Sequence, residues 1–306
     1  MARFQALILI HAVFVVPCCW MSRTANAATF TITNGCGFPV WPGLLSGAGT
    51  PQLPTTGFLL QPGESSGVAV PSSWSGRIWG RTSCFQDPVT GKFSCRTGDC
   101  GSSTLECSGS GAAPPTSLAE FTLNGADGLD FYDVSLVDGY NLPLMIEPRT
   151  LQGTIEGGSG TCLATGCATD LNVGCPAELK VADDVACKSA CGAFGDEQHC
   201  CSGAYGSPDT CSPTAFSQYF KNGCPKAYSY AYDDKSSTFT CGGSPDYVVT
   251  FCPSAPASVK AAALAQVPGN VTGGAGTSAA ACGHAKALTG VITSWALGGL
   301  LMMCIL

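Results

Sequence analysis

Residues 91–107 read GKFSCRTGDCGSSTLEC, and they place Cys95, Cys100 and Cys107 with only four and then six residues between them. The enrichment extends over the whole chain, which has 20 cysteines among 306 residues. Disulfides form and persist in oxidising compartments, whereas cytosolic thiols stay reduced. The cysteine content therefore predicts an extracytoplasmic protein whose loops are cross-linked.

The charge of the chain is sparse and acidic. Charged residues make up 11% of the sequence, and 21 acidic residues outnumber 14 basic ones for a net charge of −7. An average globular protein has roughly 25% charged residues. Nucleic-acid binding needs clustered Lys and Arg, so nucleic acid is excluded as a partner. Disorder is excluded because disordered chains combine high net charge with low hydrophobicity.

The N-terminus predicts a secretory signal peptide over residues 1–27. Arg3 supplies the positive charge, residues 6–16 form the apolar core, and Ala25-Asn26-Ala27 fits the small-x-small cleavage rule. A membrane anchor is the alternative, but the apolar run is too short to span a bilayer. The mature chain is therefore expected to begin at Ala28.

The C-terminus predicts a GPI-attachment signal over residues 277–306, which is removed on attachment. Residues 287–306 carry no charge, and the small residues of 273–279 precede them across a short polar spacer. A single transmembrane helix is the alternative, and no Lys or Arg follows the tail to hold it. A lipid anchor would then be the only membrane contact and would place the protein outside the plasma membrane. Without the anchor, we expect the apoplast or cell wall.

Sixteen cysteines remain between these two processed segments, and an even number can close as a disulfide set. Sixteen cysteines allow about two million pairings, so spacing alone leaves the connectivity open. His199 beside Cys200 and Cys201 raises the possibility of zinc, but the chain has no paired C-x-x-C motifs to support a tetrahedral site. We expect neither a metal nor another cofactor.

Strand-like patterns dominate the first half of the mature chain. Residues 28–33 and 67–70 alternate between apolar and polar or small side chains, and residues 77–81 (RIWGR) place Arg77 and Ile78 on opposite faces. Residues 118–123 and 129–136 predict a hairpin around a Gly-rich connection. Short strands at such even spacing predict a β-sandwich.

Residues 162–224 predict a second lobe of short helices. Ten cysteines fall in these 63 residues. Cys187 and Cys191 have the spacing of one helical face, with Gly192 as a cap. Ser212-Pro213 predicts the start of a helix that presents Phe216, Tyr219 and Phe220. Residues 254–276 are rich in Ala, Pro, Ser and Gly and predict a flexible stalk, which carries the N-glycosylation sequon at Asn270.

With these features in place, residues 28–253 resemble a thaumatin-like protein, of the plant pathogenesis-related group five. The densest match is residues 91–100 leading to Cys107, although Ser102 and Ser103 depart from the usual Gly or Gln. Further matches are residues 114–121 (PPTSLAEF), 130–141 (DFYDVSLVDGYN), 175–179 (CPAEL), 227–230 (AYSY) and 251–253 (FCP).

This resemblance implies a mainly β fold, a flattened β-sandwich with two smaller disulfide-rich lobes. It also implies eight disulfides: Cys36–Cys252, Cys84–Cys95, Cys100–Cys107, Cys162–Cys241, Cys167–Cys224, Cys175–Cys187, Cys191–Cys200 and Cys201–Cys211. Native disulfides typically contribute about 2–4 kcal/mol each. They would explain how a glycine-rich lobe stays folded.

The resemblance also implies an acidic cleft between the sandwich and the larger lobe. Family members that bind glucan line this cleft with one arginine and four acids. By motif position these are Arg77, Glu120, Asp133, Asp138 and Asp233, and Asp234 is an alternative to its neighbour Asp233.

The residues themselves support part of this grouping. Glu120 lies opposite Phe121 on its strand, and Asp133 falls on the partner strand of the predicted hairpin. Cross-strand neighbours lie about 5 Å apart, and crowding two carboxylates raises one pKa. If the protein hydrolyses β-1,3-glucan, we expect Glu120 as the acid and Asp138 as base or nucleophile.

Each candidate also has a purely structural interpretation. Asp138 precedes a glycine, as in many turns, Asp233 can be a loop acid, and Arg77 can balance nearby acids at a strand end. Glu120 is the hardest to explain this way, because it interrupts an apolar strand. Three aromatic residues can stack on sugar rings or pack in the core: Phe131, Tyr132 and Tyr140.

Three functions follow as hypotheses. The first is a monomeric, antifungal defence protein that binds β-1,3-glucan or a similar cell-wall polysaccharide. The second is a weak endo-β-1,3-glucanase that uses Glu120 and Asp138. The third is a GPI-tethered structural or receptor-associated module. Serine or cysteine protease chemistry is excluded, because one mature histidine before the tail and paired cysteines leave no nucleophile with a base.

Overall fold

The computed structural model describes residues 26–149 and 160–254. The predicted signal peptide up to residue 25, the stalk beyond residue 254, Asn270 and the GPI signal lie outside the described residues. Among the described residues, no helix has both the length and the apolar character needed to cross a membrane. The first strand begins at Asn26, two residues before the predicted mature start.

Eleven strands and four short α-helices make up the described parts of the chain. The strands are β1 (Asn26–Asn34), β2 (Trp41–Ser46), β3 (Ser65–Pro71), β4 (Ser75–Gln86), β5 (Phe93–Thr97), β6 (Leu118–Thr122), β7 (Asp130–Ser135), β8 (Leu144–Arg149), β9 (Thr165–Cys167), β10 (Phe239–Cys241) and β11 (Asp246–Phe251). The helices are α1 (Ala190–Phe194), α2 (Glu197–Cys200), α3 (Ala215–Gly223) and α4 (Asp234–Ser237). Single 3₁₀ turns cover Ala126–Gly128, Ala182–Asp184 and Gly203–Tyr205.

The strands form two sheets, which confirms the predicted sandwich. One sheet has the order β3-β1-β11-β8-β9, and the other has the order β10-β7-β6-β4-β2 with β5 paired to β4. Only the β1–β11 pair is parallel among these strands. The predicted hairpin of residues 118–136 is present as β6 and β7. This hairpin lies at the centre of the second sheet.

The core between the sheets is built around aromatic rings. The Phe30 ring lies 4.5 Å from Phe121 and 5.7 Å from both Trp74 and Tyr247, centroid to centroid. Tyr132 lies 5.3 Å from Tyr247, and all five rings are buried. Buried aromatic pairs add about 0.5–1.5 kcal/mol beyond their apolar burial. Phe121 and Tyr132 therefore anchor β6 and β7 from the core side.

The cysteine-rich stretch of residues 91–107 is fixed by polar contacts. Asp99 accepts hydrogen bonds from the backbone N–H groups of Cys95 (2.6 Å) and Gly101 (2.7 Å). Arg81 is fully buried and donates to the Leu105 carbonyl at 2.7 Å, and burial lowers its pKa to about 10. Buried charges must be paired or hydrogen-bonded, so Arg81 holds the 100–107 loop from within.

The second lobe differs from its predicted helix boundaries. Cys187 lies outside α1, because its backbone pairs with Tyr140 and Lys180, and Gly192 lies inside that helix. The left-handed cap is Gly195, with φ of 69°. Long-range backbone pairing overrides the local i, i+4 spacing here.

The predicted start of α3 is two residues too early. Thr214, not Ser212, is the N-cap, and its side chain accepts from the Ser217 N–H in a capping box. The predicted end at Gly223 agrees with the structure. Phe220 is buried, and Phe216 and Tyr219 pack partly buried against the core.

Eight disulfides close within the described residues, and they are the eight pairs that the family resemblance implies. Cys36–Cys252 joins segments 216 residues apart at the ends of β1 and β11. Cys201–Cys211 closes a separation of only 10 residues within the lobe. The disulfide of the sandwich thus joins segments that are distant in sequence, and that of the lobe joins segments that are close in sequence.

Candidate functional site: an acidic groove across the second sheet

A row of three charged side chains crosses the middle of the second sheet. Arg77 on β4 is directly opposite Glu120 on β6, and Glu120 is directly opposite Asp133 on β7. The Arg77 Nη2 lies 3.4 Å from the Glu120 Oε1, and both side chains keep a substantial exposed surface. The register therefore brings together three residues that are far apart along the chain.

The strand alternation explains why these side chains face outward. Their sequence neighbours Ile78, Ala119 and Val134 are fully buried between the sheets. Successive side chains of a strand point to opposite faces of a sheet. Burial of the apolar set therefore forces Arg77, Glu120 and Asp133 to the outer face.

Asp138 joins this row from the turn after β7. It lines the groove together with Arg77, Glu120 and Asp133. The following residue, Gly139, has φ of 92°, and a Cβ there would lie 2.6 Å from Pro115 and 2.7 Å from the Cys187 carbonyl. The Asp-Gly turn noted in the sequence is real, and it places Asp138 at the groove.

The structure places the neighbouring acids Asp233 and Asp234 in different surroundings. The Asp233 side chain is buried, where Oδ2 lies 2.8 Å from the Lys221 Nζ and accepts from the Ser229 hydroxyl at 2.9 Å. Asp234 is exposed and lines the groove. Contacts with Lys221 and Ser229 hold the Asp233 carboxylate inward, and the adjacent Asp234 carboxylate faces the groove.

Tyr228 is a groove residue that the sequence did not single out. Its hydroxyl donates to the Asp234 Oδ1 at 2.9 Å, and its backbone N–H donates to the Val134 carbonyl. Burial raises the pKa of this hydroxyl above its ordinary value. The only available signal was its position in the matched stretch of residues 227–230.

The aromatic candidates divide between the core and the groove. Tyr132 and Tyr140 are buried, and their hydroxyls donate to the carbonyls of Leu163 and Thr169. They therefore cannot stack on a sugar in the groove. Phe131 is half-buried and lines the other end of the groove, beside Arg77, Glu120 and Asp133.

The pKa values of two groove carboxyl groups, those of Asp133 and Glu120, are raised. Burial, followed by the charges of Glu120 and Asp234, raises the pKa of Asp133 to about 8. Burial also raises the pKa of Glu120, with Asp138 adding to the effect and Arg77 opposing it. The Asp133 Oδ1 is buried and has no hydrogen-bond partner among the described residues. Near neutral pH Asp133 therefore retains its proton.

The groove is open and has no metal-binding arrangement among the described residues. Its two halves have volumes of about 510 and 480 Å³, and they share Arg77, Glu120 and Asp133. Nowhere in residues 26–149 and 160–254 do three or more His, Cys, Asp or Glu residues cluster as metal ligands. Cys200 and Cys201 form disulfides, which removes them as zinc ligands. Such a groove offers hydrogen-bond acceptors and donors to a polar, uncharged ligand.

Comparisons with known proteins agree with this architecture. The model of the Thaumatin family matches residues 34–253. The chain is 55% identical to thaumatin-like protein 1 of Pyrus pyrifolia, over 82% of this chain and all of that protein. It is 54% identical to the pathogenesis-related thaumatin-like protein 3.5 of Cryptomeria japonica, over 76% of this chain and 93% of that protein.

The solved structures that resemble the chain include the thaumatin-like xylanase inhibitor TLXI. That structure is 25% identical and aligns with 73% of this chain and 99% of its own chain, at a TM-score of 0.39. The family match covers the lobe, the groove and every strand of both sheets except β1, of which it includes only Asn34. The chain belongs to the Thaumatin family.

Proposed function

We propose that the acidic groove binds β-1,3-glucan or a similar cell-wall polysaccharide, and that the protein acts in antifungal plant defence. The observation that carries the proposal is the row Arg77–Glu120–Asp133, flanked by Asp138 and Asp234 in one open groove. Carboxylates accept hydrogen bonds from sugar hydroxyls, and a protonated carboxyl can donate one. The family resemblance supports the same ligand class.

The charge of the groove favours a neutral polysaccharide. Four acids face one arginine there, so an anionic polymer would meet like charges. A neutral glucan avoids this repulsion and can exchange its water contacts for contacts with the groove. The open shape of the groove suits a long chain.

Binding to insoluble β-1,3-glucan tests the proposal. Glu120→Gln keeps the side-chain shape and removes its charge, so we expect at least tenfold less bound protein in a pull-down assay. Glu178→Gln is the matched control, because Glu178 is exposed and lies outside the groove. Equal binding by wild type and Glu120→Gln would remove Glu120 from the site, and no binding by wild type would refute the function.

Weak endo-β-1,3-glucanase activity is the second candidate, and the raised pKa values of Glu120 and Asp133 favour it. A glycosidase needs one protonated and one ionised carboxyl on either side of the scissile bond. In this mechanism Glu120 protonates the leaving oxygen and Asp138 acts as base or nucleophile. Release of reducing ends from laminarin is the assay. If wild type releases no more reducing ends than a Glu120→Gln/Asp138→Asn double variant, the protein binds glucan without hydrolysing it.

We also propose that the protein passes through the secretory pathway and is tethered by GPI to the outer face of the plasma membrane. The charge-free tail of residues 287–306 and the small residues before it support the anchor, and the disulfide-rich fold is consistent with secretion. Phosphatidylinositol-specific phospholipase C should release the protein from plant membranes. A protein that stays with the membrane after this treatment would favour the transmembrane alternative.

In solution we propose a monomer that interacts with polysaccharide and not with nucleic acid. The acidic balance of the chain supports the exclusion of nucleic acid. A receptor-associated or structural role for the tethered protein remains a third proposal. It requires a protein partner, which co-purification from released membranes would identify.

A further inference from the structure

A partly enclosed cavity of about 230 Å³ adjoins the acidic groove. Residues of the lobe line it on one side, and the turn after β7 lines it on the other. Val137, Asp138 and Ala231 line both the cavity and the groove. We propose that this cavity, which we name the branch pocket, binds a single-sugar side branch of a polysaccharide whose main chain occupies the groove. The inference rests on the proposed function of the groove.

The size of the branch pocket limits its occupant. Pockets that hold drug-sized ligands have volumes of roughly 300–1,000 Å³, and this cavity is smaller, at about 230 Å³. It is also more enclosed than the groove. One sugar ring fits this description better than an extended chain, which needs two open ends. The occupant therefore enters from the groove and ends within the pocket.

The lining of the branch pocket has the mixed character of a sugar ring. Its apolar surface comes from Pro114, Phe220 and the disulfides Cys191–Cys200 and Cys201–Cys211. A pyranose ring has apolar C–H faces and a rim of hydroxyl groups, so it needs both apolar walls and a few polar contacts. The two disulfides give the walls a fixed shape, which lowers the cost of ordering the pocket on binding.

Several polar side chains of the lining are free to bind a ligand. Among the described residues, the side chains of Gln198, Ser212 and Tyr230 make no hydrogen bond, although all three line the pocket. His199 lines it too, and its Nδ1 is held by the Asp196 carboxylate at 2.7 Å, which leaves Nε2 available. An amide, two hydroxyls and an imidazole are typical partners of sugar hydroxyls.

The charge of the lining excludes an anionic occupant. No Lys or Arg is among the residues that line the pocket, within the described parts of the chain. Asp138 is the single carboxylate there, at the border with the groove. A phosphate or carboxylate would be repelled without any compensating cation. An uncharged sugar avoids this cost, and Asp138 can accept a hydroxyl at the branch point.

Isothermal titration with two defined ligands tests the branch pocket. The first is linear laminarihexaose, and the second is the same hexaose with one glucose attached at a 6-hydroxyl. We expect wild type to bind the branched ligand about tenfold more tightly. Ser212→Phe should remove this preference and leave the affinity for the linear ligand unchanged. Ser212 is exposed, and a phenyl ring there would fill the pocket without touching the groove.

Two further variants make the result decisive. Ser202→Phe places the same ring on an exposed site of the lobe outside the pocket, so it should keep the preference. Gln198→Trp fills the pocket from a second side and should remove the preference if Ser212→Phe fails to fold. Equal affinity of wild type for both ligands, or a preference that survives both filling variants, would overturn the branch pocket alone. Absence of binding to either ligand would overturn the groove as well.

Discussion

The β-sandwich and the disulfide-rich lobe of residues 162–224 are stabilised in different ways. The sandwich buries a cluster of aromatic rings between two sheets and is closed by a disulfide that spans 216 residues. The lobe has helices of four, five and nine residues and several disulfides over short separations. Short helices are marginal in water without tertiary support, so disulfides supplement the apolar packing of the lobe.

This difference determines where a binding site can be built. The groove carboxylates lie on central strands, where register and buried neighbours hold them. The lobe instead provides the cross-linked walls of the branch pocket. A rigid sheet can carry costly, partly buried charges, because its core provides surplus stability.

The disulfides should give the largest contrast between the two regions. Loop-closure entropy predicts a loss of about 5 kcal/mol for Cys36→Ala/Cys252→Ala and about 3 kcal/mol for Cys201→Ser/Cys211→Ser. Denaturant unfolding measures both losses. Hydrogen exchange should show that the Cys201→Ser/Cys211→Ser variant exchanges its lobe amides faster. The amides of the sandwich should stay protected. Global loss of protection from the lobe pair would contradict the separation of the two regions.

A core aromatic gives the next largest effect. Phe121→Ala should lower the free energy of unfolding by about 3–5 kcal/mol, because it leaves a cavity among buried rings. Phe216→Ala in the lobe is the matched comparison, and we expect a clearly smaller loss because Phe216 is only partly buried. Urea midpoints measure the difference. Equal losses would mean that the lobe depends on apolar packing as much as the sandwich does.

The last prediction concerns the groove itself and depends on pH. The pKa of Asp133 is raised from 3.8 to about 8, so the folded state retains a proton that the unfolded state has lost. Folding stability from this group is present below pH 4 and is lost as the pH rises towards 8. Asp133→Asn should therefore raise the Tm at pH 8 and change it little at pH 3.5.

Thermal unfolding across this pH range measures that effect. Asp209→Asn is the control, because Asp209 is an exposed lobe residue outside the groove. A destabilised Asp133→Asn protein at pH 8 would contradict a strained, proton-retaining groove. If Asp133→Asn is more stable but binds less glucan, Asp133 lowers stability and contributes to recognition.

Local patterns in the sequence predicted much of the sheet that carries the groove. Alternation in residues 118–136 was enough to pair β6 with β7 and to bring Glu120 and Asp133 together on one face. The pairing of Arg77 with Glu120 spans a longer loop, and only the family resemblance pointed to it. Strand alternation fixes which face a side chain uses, but not which distant strand lies beside it.

Other features needed the tertiary structure because their local signals were ambiguous. Asp233 and Asp234 are identical neighbours, and contacts with Lys221 and Ser229 decide which one turns inward. Cys187 has helical spacing to Cys191, but backbone pairing with Tyr140 keeps it out of α1. A backbone hydrogen bond to Val134 on β7 places Tyr228 at the groove, and no local sequence pattern predicts this contact.

The sequence by itself determined the mainly β character, the outward face of Glu120 and Asp133, and, through family resemblance, the disulfide pairs, and its cysteine content predicts an oxidising compartment. These follow from composition, alternation and motif, which are local properties. Only the tertiary structure decided the fourth acid of the groove, the raised pKa of Asp133 and the adjoining pocket. Each of these depends on burial and on the distance between residues from separate parts of the chain, and such properties exist only once the two sheets and the lobe have packed together.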